Sequence, residues 1–203
     1  MTGALWPGWP MISVFCLIAY LLGSIPFGVL VAKAYGADLR SKGSGNIGAT
    51  NALRVLGKKA GALTLLGDML KGVAAVLIAL RFGGYEAGTL AAGAAVLGHD
   101  FSIFAGFKGG KGVATSLGTV LALEPFIGLA CVAVWFLAFI ALRISSVGAL
   151  AAFTALPLLA LVFKGGNYFF IILSFFLAVM IFIKHRENIK RLIRGEEAGF
   201  SRK

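Results

Sequence analysis

Charged side chains are scarce in this sequence of 203 residues. Only 13% of the residues are Asp, Glu, Lys or Arg, and the chain contains two cysteines and two histidines. A soluble globular domain averages about 25% charged residues, so the composition excludes an ordinary soluble protein. Hydrophobic residues make up 59% of the chain, and the mean hydropathy is +0.93. These values predict an all-α, polytopic transmembrane helix bundle in which residues 1–203 form a single membrane domain.

The missing side chains also limit the chemistry. Potential metal ligands do not cluster, so we expect neither a metal ion nor another cofactor. The H-x-x-x-x-D dyad common in acyltransferases is absent, because neither His99 nor His185 is followed by Asp five residues later, and no G-x-S-x-G nucleophile elbow occurs. A site made of Lys, Arg, Ser, Asn and backbone amides is suited to stabilise charge and orient substrates without a covalent intermediate.

The apolar residues fall into seven segments separated by polar or glycine-rich stretches. The segments lie at about 11–35, 60–80, 86–105, 112–123, 125–142, 147–163 and 167–183. A membrane-spanning helix needs about 20 apolar residues, and the fourth segment is shorter than that. We expect about seven spans, with the amino terminus outside and the carboxyl terminus cytoplasmic. Five spans would place the carboxyl terminus on the same side.

The net charge of +11 indicates orientation in the membrane rather than nucleic-acid binding, because the basic residues are spread over several loops. Short cytoplasmic loops collect Lys and Arg, which places residues 36–59, the loop at 106–112 and the tail after residue 183 inside. Only Lys164 departs from this rule. The tail has Ile189 and Leu192 at helical spacing between basic residues, typical of a short helix in the membrane interface.

The first candidate anion site is a glycine-rich segment that ends shortly before Arg54. Its candidate binding residues are Gly43, Ser44, Gly45, Asn46, Thr50 and Asn51. The segment formally contains G-x-G-x-x-G, but no strand precedes it and Asp68 falls inside an apolar span, so we reject a dinucleotide-binding fold. Two interpretations remain open: a backbone nest that binds an anion, and an ordinary turn whose side chains cap the next helix.

The second candidate is the loop at 106–112, in which two lysines stand among four glycines. It is not a Walker A loop, because Ala105 replaces the first glycine and no Ser or Thr directly follows Lys111. Glycines let backbone amides approach a phosphate, although lysines at a membrane edge also act as simple anchors. The candidate substrate-binding residues are Lys108, Gly109, Gly110, Lys111 and Gly112, with His99 in the approach to the loop.

The third candidate lies in the tail, where His185 and Asn188 share the stripe of Ile189 and Leu192. Polar groups on an inward-facing stripe need partners in the protein or in a ligand. Ser145 and Ser146, close to Arg143, form a smaller cluster and are further candidate substrate-binding residues, with a helix cap beside a positive anchor as the strong alternative.

Two intrahelical ion pairs are also expected from spacing. Asp68 and Lys71 stand three residues apart in an apolar span, which favours a buried structural pair. Glu187 stands four residues before Arg191, the favourable order for a pair on a helix surface.

Five segments of the chain match a known family in the family's own order. They lie at 22–28, 43–51, 67–72, 106–115 and 185–192. Through them the chain resembles the bacterial acyl-phosphate:glycerol-3-phosphate acyltransferases, the PlsY family. The resemblance implies a seven-span enzyme of the bacterial cytoplasmic membrane, with its active site on the cytoplasmic side. Such an enzyme transfers a fatty acyl group from acyl phosphate to the 1-hydroxyl of glycerol 3-phosphate, and releases lysophosphatidic acid and phosphate in the first step of phospholipid synthesis.

The resemblance also assigns roles to residues. It implies catalytic roles for Ser44, Arg54, His185 and Asn188, and makes the loop around Lys111 a phosphate site. The expected partners are acyl phosphate, glycerol 3-phosphate and the lipid bilayer, without nucleic acid or metal. Ser102 stands where the family has proline, so we expect a looser entry to the loop. The competing function is a small phosphate or organic-anion transporter, whose site would lie at the membrane midplane rather than at one face.

Overall fold

The computed structural model describes residues 8–200, so the basic tail residues Arg202 and Lys203 lie outside the described part. Within residues 8–200 the chain forms nine α-helices and one short 3-10 turn, and no strand. The helices are α1 (Trp9–Ser24), α2 (Phe27–Ala34), α3 (Ala49–Leu56), α4 (Lys58–Asp100), α5 (Val113–Leu123), α6 (Pro125–Leu142), α7 (Ser145–Phe163), α8 (Tyr168–Lys184) and α9 (Arg186–Ile193); the 3-10 turn is Ile103–Ala105. The predicted all-α architecture is confirmed.

The longest helix, α4, folds back on itself at Gly84. This residue has φ 76° and ψ −174°, a conformation that glycine adopts readily and other residues rarely do. Asp68 and His99 would lie about 45 Å apart along a straight helix, yet His99 Nδ1 is 3.5 Å from Asp68 Oδ1. The helix is therefore an antiparallel hairpin of residues 58–83 and 85–100, which correspond to two of the seven apolar segments.

The break between α1 and α2 is fixed by side chains from the α4 hairpin and the segment that follows it. Pro26 has no N–H to continue the helical hydrogen bonds, and unpaired carbonyls are costly in a membrane. The carbonyl of Ile25 accepts a hydrogen bond from Lys71 Nζ at 2.8 Å, and that of Ser24 accepts one from Ser102 Oγ at 2.5 Å. Ser102 therefore ties the entry of the 106–112 loop to α1, and the looser entry expected without proline stays a prediction.

Small residues let α1 approach the α4 hairpin closely. A Cβ atom on Gly23 would lie 2.0 Å from the carbonyl oxygen of Ala95, and one on Gly98 would lie 2.1 Å from that of Tyr20. Close approach through glycine and alanine is typical of helix packing in membranes. Larger side chains fill a second core between α4, α5, α7 and α8, which includes Leu117, Phe153, Leu156, Phe170 and Leu177.

Four helical stretches are long and apolar enough to cross a membrane: Pro10–Ala34, Lys58–Ala105, Pro125–Leu142 and Ser145–Phe163. The pair Tyr168–Lys184 and Arg186–Ile193, bent by 61°, adds a fifth candidate. The shorter apolar helix Val113–Leu123 corresponds to the fourth apolar segment of the sequence, 112–123. The second stretch contains the α4 hairpin. Many large apolar side chains are exposed, such as Leu129, Val162 and Ile172, as expected for a surface that faces lipid. The count of seven spans and the orientation of the termini stay predictions.

Lys164, which departs from the charge rule, does not carry an isolated charge. Its Nζ lies 2.8 Å from Glu124 Oε2, and Glu124 Oε1 accepts a hydrogen bond from the Tyr85 hydroxyl at 2.6 Å. This pair joins the start of α6 to the end of α7, so its acidic partner offsets the charge of Lys164.

Candidate active site

The first glycine-rich loop is organised from inside by Asn51. Its Nδ2 donates to the carbonyls of Leu39, Lys42 and Asn46 at 3.1, 3.1 and 2.8 Å, and its Oδ1 accepts from the Ser44 N–H at 2.9 Å. Asn51 is 2% exposed. Its amide is therefore buried and bonded within the loop, and its role as a substrate-binding residue stays a prediction.

The other residues of this loop divide between structural and surface positions. Asn46 Oδ1 accepts the N–H of Gly48 at 2.8 Å, which makes it a turn-forming residue; its role in binding substrate stays a prediction. Gly43 and Gly45 have φ of 61° and 71°, and Ser44 between them is exposed. Thr50 Oγ1 lies 2.9 Å from Ser145 Oγ and so links α3 to α7.

The second loop, at 106–112, packs tightly against the end of α4. A Cβ atom on Gly109 would lie 1.9 Å from the carbonyl oxygen of His99, and one on Gly110 would lie 2.2 Å from His99 Nε2. His99 therefore lies behind the loop and is 5% exposed, and its role in binding substrate stays a prediction. Gly112 has φ 78° and stands at the start of α5. Lys108 is exposed, whereas Lys111 is partly buried.

Lys111 reaches the third predicted region, the tail. Its Nζ donates to Asn188 Oδ1, and Asn188 Nδ2 donates to Glu197 Oε1 at 2.5 Å. The same carboxylate accepts from Ser146 Oγ at 2.8 Å and from Arg191 Nε at 2.7 Å. Side chains from the 106–112 loop, α7, α9 and the segment after α9 thus meet at one point. We call the set Arg54, Lys111, Ser146, Asn188, Arg191 and Glu197 the cation cluster.

Arg54 joins the cation cluster from α3. Its Nη2 donates to the carbonyl of Ala198 at 3.2 Å, and its guanidinium lies 5.3 Å from the centre of the Phe200 ring. Phe200 is held in turn by a hydrogen bond from its N–H to the carbonyl of Arg143 at 2.9 Å. The segment after α9 therefore lies over the side of the cluster formed by α3 and α7.

His185 stands at the bend between α8 and α9 and is 4% exposed. Its Nδ1 lies 2.8 Å from the carbonyl oxygen of Ile181. A carbonyl only accepts, so Nδ1 carries the proton in the neutral imidazole and Nε2 has a free lone pair. Lys111 and Glu197 are its charged neighbours.

The charges of the cluster act on one another. Burial lowers the pKa of Lys111 to about 8; Glu197 opposes this shift, and the nearby cations Arg191, Lys184 and Arg54 add to it. Burial raises the pKa of Glu197, but hydrogen bonds from Asn188, Ser146 and Arg191 outweigh it and leave that pKa below its ordinary value. The cluster thus holds an ionised carboxylate among an excess of cations, the environment in which an anion is bound.

Two expected ion pairs had different outcomes. Asp68 and Lys71 form the predicted buried pair, with 2.8 Å between Lys71 Nζ and Asp68 Oδ1. The predicted pair of Glu187 with Arg191 was wrong. Glu187 is exposed and lies 3.2 Å from Lys190 Nζ, while Arg191 turns to Glu197, since the chain after α9 folds back over the helix.

Comparison with known proteins places the chain in a family. The family model described as Glycerol-3-phosphate acyltransferase matches residues 13–195. The chain belongs to the glycerol-3-phosphate acyltransferase family. A curated member from Jannaschia sp. (strain CCS1) is 50% identical over 188 residues, covering 92% of each chain. One from Geotalea daltonii is 48% identical over 191 residues, covering 93% of this chain and 97% of the relative.

Two crystal structures of the family share this fold. Both are of PlsY (YgiH), an integral membrane glycerol 3-phosphate acyltransferase. The glycerol 3-phosphate form has a TM-score of 0.90 and 42% identity, and the lysophosphatidic acid form has a TM-score of 0.88 and 41% identity; each match covers 94% of this chain and 96% of the other. The resemblance found in the sequence is confirmed, and the chain is a multi-pass membrane acyltransferase of this family.

Sequence analysis missed Glu197 and Lys184, which both act on the charge of Lys111, as parts of the site. Lys184 Nζ donates to the carbonyl of Asp100 at 2.9 Å and lies 4.8 Å from the centre of the Phe101 ring. The partners of Glu197 are 6, 9 and 51 residues away in sequence, so only the tertiary fold brings them together.

Proposed function

We propose that this chain transfers a fatty acyl group from acyl phosphate to the 1-hydroxyl of glycerol 3-phosphate, at the cation cluster and on the cytoplasmic face of a bacterial inner membrane. The observation that carries the proposal is the grouping of Arg54, Arg191 and Lys184 near Lys111, with Glu197 as the carboxylate that binds Arg191. Both substrates are phosphate anions, and a site with excess positive charge offsets their mutual repulsion.

The reaction needs positioning more than covalent catalysis. The oxygen of the 1-hydroxyl attacks the acyl carbonyl carbon, the bond from that carbon to the phosphate oxygen breaks, and inorganic phosphate leaves. The mixed anhydride already has a good leaving group, so holding the two anions side by side supplies much of the acceleration. Lys111 and Arg54 bind phosphate oxygens in this scheme, and Asn188 holds the ammonium group of Lys111 in place.

Two groups are suited to accept the proton of the hydroxyl. One is Nε2 of His185, whose lone pair is left free by the bond from Nδ1 to Ile181. The other is a phosphate oxygen of the substrates themselves. Replacing His185 by Ala separates the two: a large fall in kcat with little change in KM favours the imidazole as base, and unchanged turnover favours the phosphate.

The cytoplasmic location is supported by the distribution of charge. Arg54, Lys111, Arg191 and Lys184 come from connections or helix ends that the charge rule places inside. An acyl phosphate has one apolar tail and one anionic head, so it is suited to a site where the membrane surface meets such a cluster.

The proposal is tested with the purified full-length chain, acyl phosphate and glycerol 3-phosphate, by following phosphate release and lysophosphatidic acid formation. We expect both products in equal amounts, and no lysophosphatidic acid when glycerol 3-phosphate is omitted. Acyl coenzyme A serves as a control donor. If acyl coenzyme A but not acyl phosphate supports the reaction, the donor assignment is wrong. If neither supports it and proteoliposomes take up phosphate, the chain is a transporter.

A further inference from the structure

We propose that Lys71, Asp68 and His99 form a buried polar chain that positions the backbone of Gly110, and through it the Lys111 side chain, for binding the phosphate of glycerol 3-phosphate. These three are positioning residues that do not touch substrate. The inference rests on the proposed function, because it takes Lys111 as a phosphate ligand.

The chain of contacts is continuous from the α1–α2 break to the loop. Lys71 Nζ donates to the carbonyl of Ile25 at 2.8 Å and lies 2.8 Å from Asp68 Oδ1. Asp68 Oδ1 lies 3.5 Å from His99 Nδ1. The side chains of Lys71, Asp68 and His99 are 2%, 4% and 5% exposed, so substrate in the site does not reach them.

His99 contacts the loop with both its backbone and its ring. The Gly110 N–H donates to the His99 carbonyl at 3.1 Å. A Cβ atom on Gly110 would lie 2.2 Å from His99 Nε2, which means that the imidazole ring lies directly against the Gly110 backbone. The next residue in the chain is Lys111. A shift of the ring therefore shifts the point from which the Lys111 side chain extends toward Asn188.

Buried charge in a membrane helix calls for an explanation of this kind. Ionisable groups inside spans are costly and persist where they serve a site. Replacing a buried ion pair with apolar residues of similar size is often neutral or stabilising. The bond of Lys71 to the Ile25 carbonyl gives Lys71 a structural role, but that bond does not require Asp68 to lie beside His99. The contact of Asp68 with His99 is explained by the phosphate loop, because it orients the ring that supports Gly110.

The first test replaces His99 with Ala in the full-length chain and measures KM for each substrate and kcat. We expect KM for glycerol 3-phosphate to rise about tenfold, with less than a twofold change in KM for acyl phosphate. Thr89→Val is the matched control. Thr89 is also buried in α4, but its hydroxyl bonds only within its own helix, to the Tyr85 carbonyl at 2.9 Å, so both KM values stay at wild type. If His99→Ala does not fold, His99→Gln gives the same comparison.

A double variant tests whether His99 acts through Gly110. Gly110→Ala alone forces its methyl group into the imidazole and weakens glycerol 3-phosphate binding. In Gly110→Ala combined with His99→Ala the methyl group finds space, so the two losses do not add and KM is no higher than in the worse single variant.

The outcomes separate this inference from the proposed function. The positioning role is overturned if the effects of the two changes on KM are independent and multiply. It is also overturned if His99→Ala has a wild-type KM for glycerol 3-phosphate. In both cases the enzyme stays active. Absence of any acyl transfer by the wild-type chain overturns the proposed function instead.

Discussion

Replacing Lys111 with alanine is the most direct perturbation of the cation cluster. Its Nζ binds Asn188 Oδ1, and Arg54, Arg191 and Lys184 lie near enough to lower its pKa. Removing one partner of a desolvated charge pair costs about 2 to 5 kcal/mol. Lys111 is only partly buried and other cations remain, so we expect a loss of about 3 kcal/mol in transition-state binding, or roughly 150-fold in kcat/KM.

The pH dependence gives a second, independent prediction for the same residue. The pKa of Lys111 is lowered to about 8, so its positive charge is present below that pH and is lost as the pH rises through it. The value of kcat/KM for glycerol 3-phosphate reports the free enzyme and falls above about pH 8. Lys111→Arg keeps the charge at all these pH values, so this variant retains more activity than Lys111→Ala and lacks the decline.

The assay is phosphate release at varied glycerol 3-phosphate between pH 6 and pH 10, in detergent, with thermal melting of each variant as the control for folding. Two results would refute the reasoning. One is a loss smaller than about tenfold in Lys111→Ala; the other is a decline near pH 8 that persists unchanged in Lys111→Arg.

Three further changes probe separate parts of the structure. Glu197→Gln removes the negative charge that favours protonated Lys111, so the decline of kcat/KM at high pH moves to lower pH. A decline at an unchanged pH contradicts the effect of Glu197 on the charge of Lys111. Asn51→Ala leaves up to three loop carbonyls without their donor and lowers stability by about 1 to 3 kcal/mol, seen as a lower melting temperature; an unchanged melting temperature with a raised KM indicates a substrate contact instead. Lys164→Ala breaks the half-exposed pair with Glu124 and lowers stability by at most about 1 kcal/mol, with both KM values unchanged, since the pair lies away from the cation cluster.

The helices could be predicted from sequence because apolar runs and polar interruptions alternate clearly. The segments expected at 60–80 and 86–105 correspond to the two arms of the α4 hairpin, and the interruption between them contains Gly84, where the chain reverses. Hydropathy does not show the path of the chain at that point. The approach of Asp68 to His99 follows only from the reversal, so the buried polar chain could not be predicted.

The site was predictable in part, for a physical reason. Lys111, Arg54 and Asn188 stood out because charge and amide groups are rare beside apolar spans. An amide such as that of Asn51 gives the same sequence signal whether it binds a ligand or its own loop, and its four hydrogen bonds within the loop become visible only in the structure. Glu197 was missed because its partners depend on how the chain turns after α9.

The balance of charge near the site supports the proposed binding of two anions. Four cations, Arg54, Lys111, Lys184 and Arg191, influence one another around Lys111. The carboxylates that face them are Glu197, which binds Arg191, and Asp100, which lies near Lys184. Even with both acids ionised, about two positive charges stay uncompensated at a face where low dielectric makes such charges costly. In the proposed reaction the phosphate groups of the two substrates supply the missing negative charge, so their binding would relieve an imbalance that the fold itself creates.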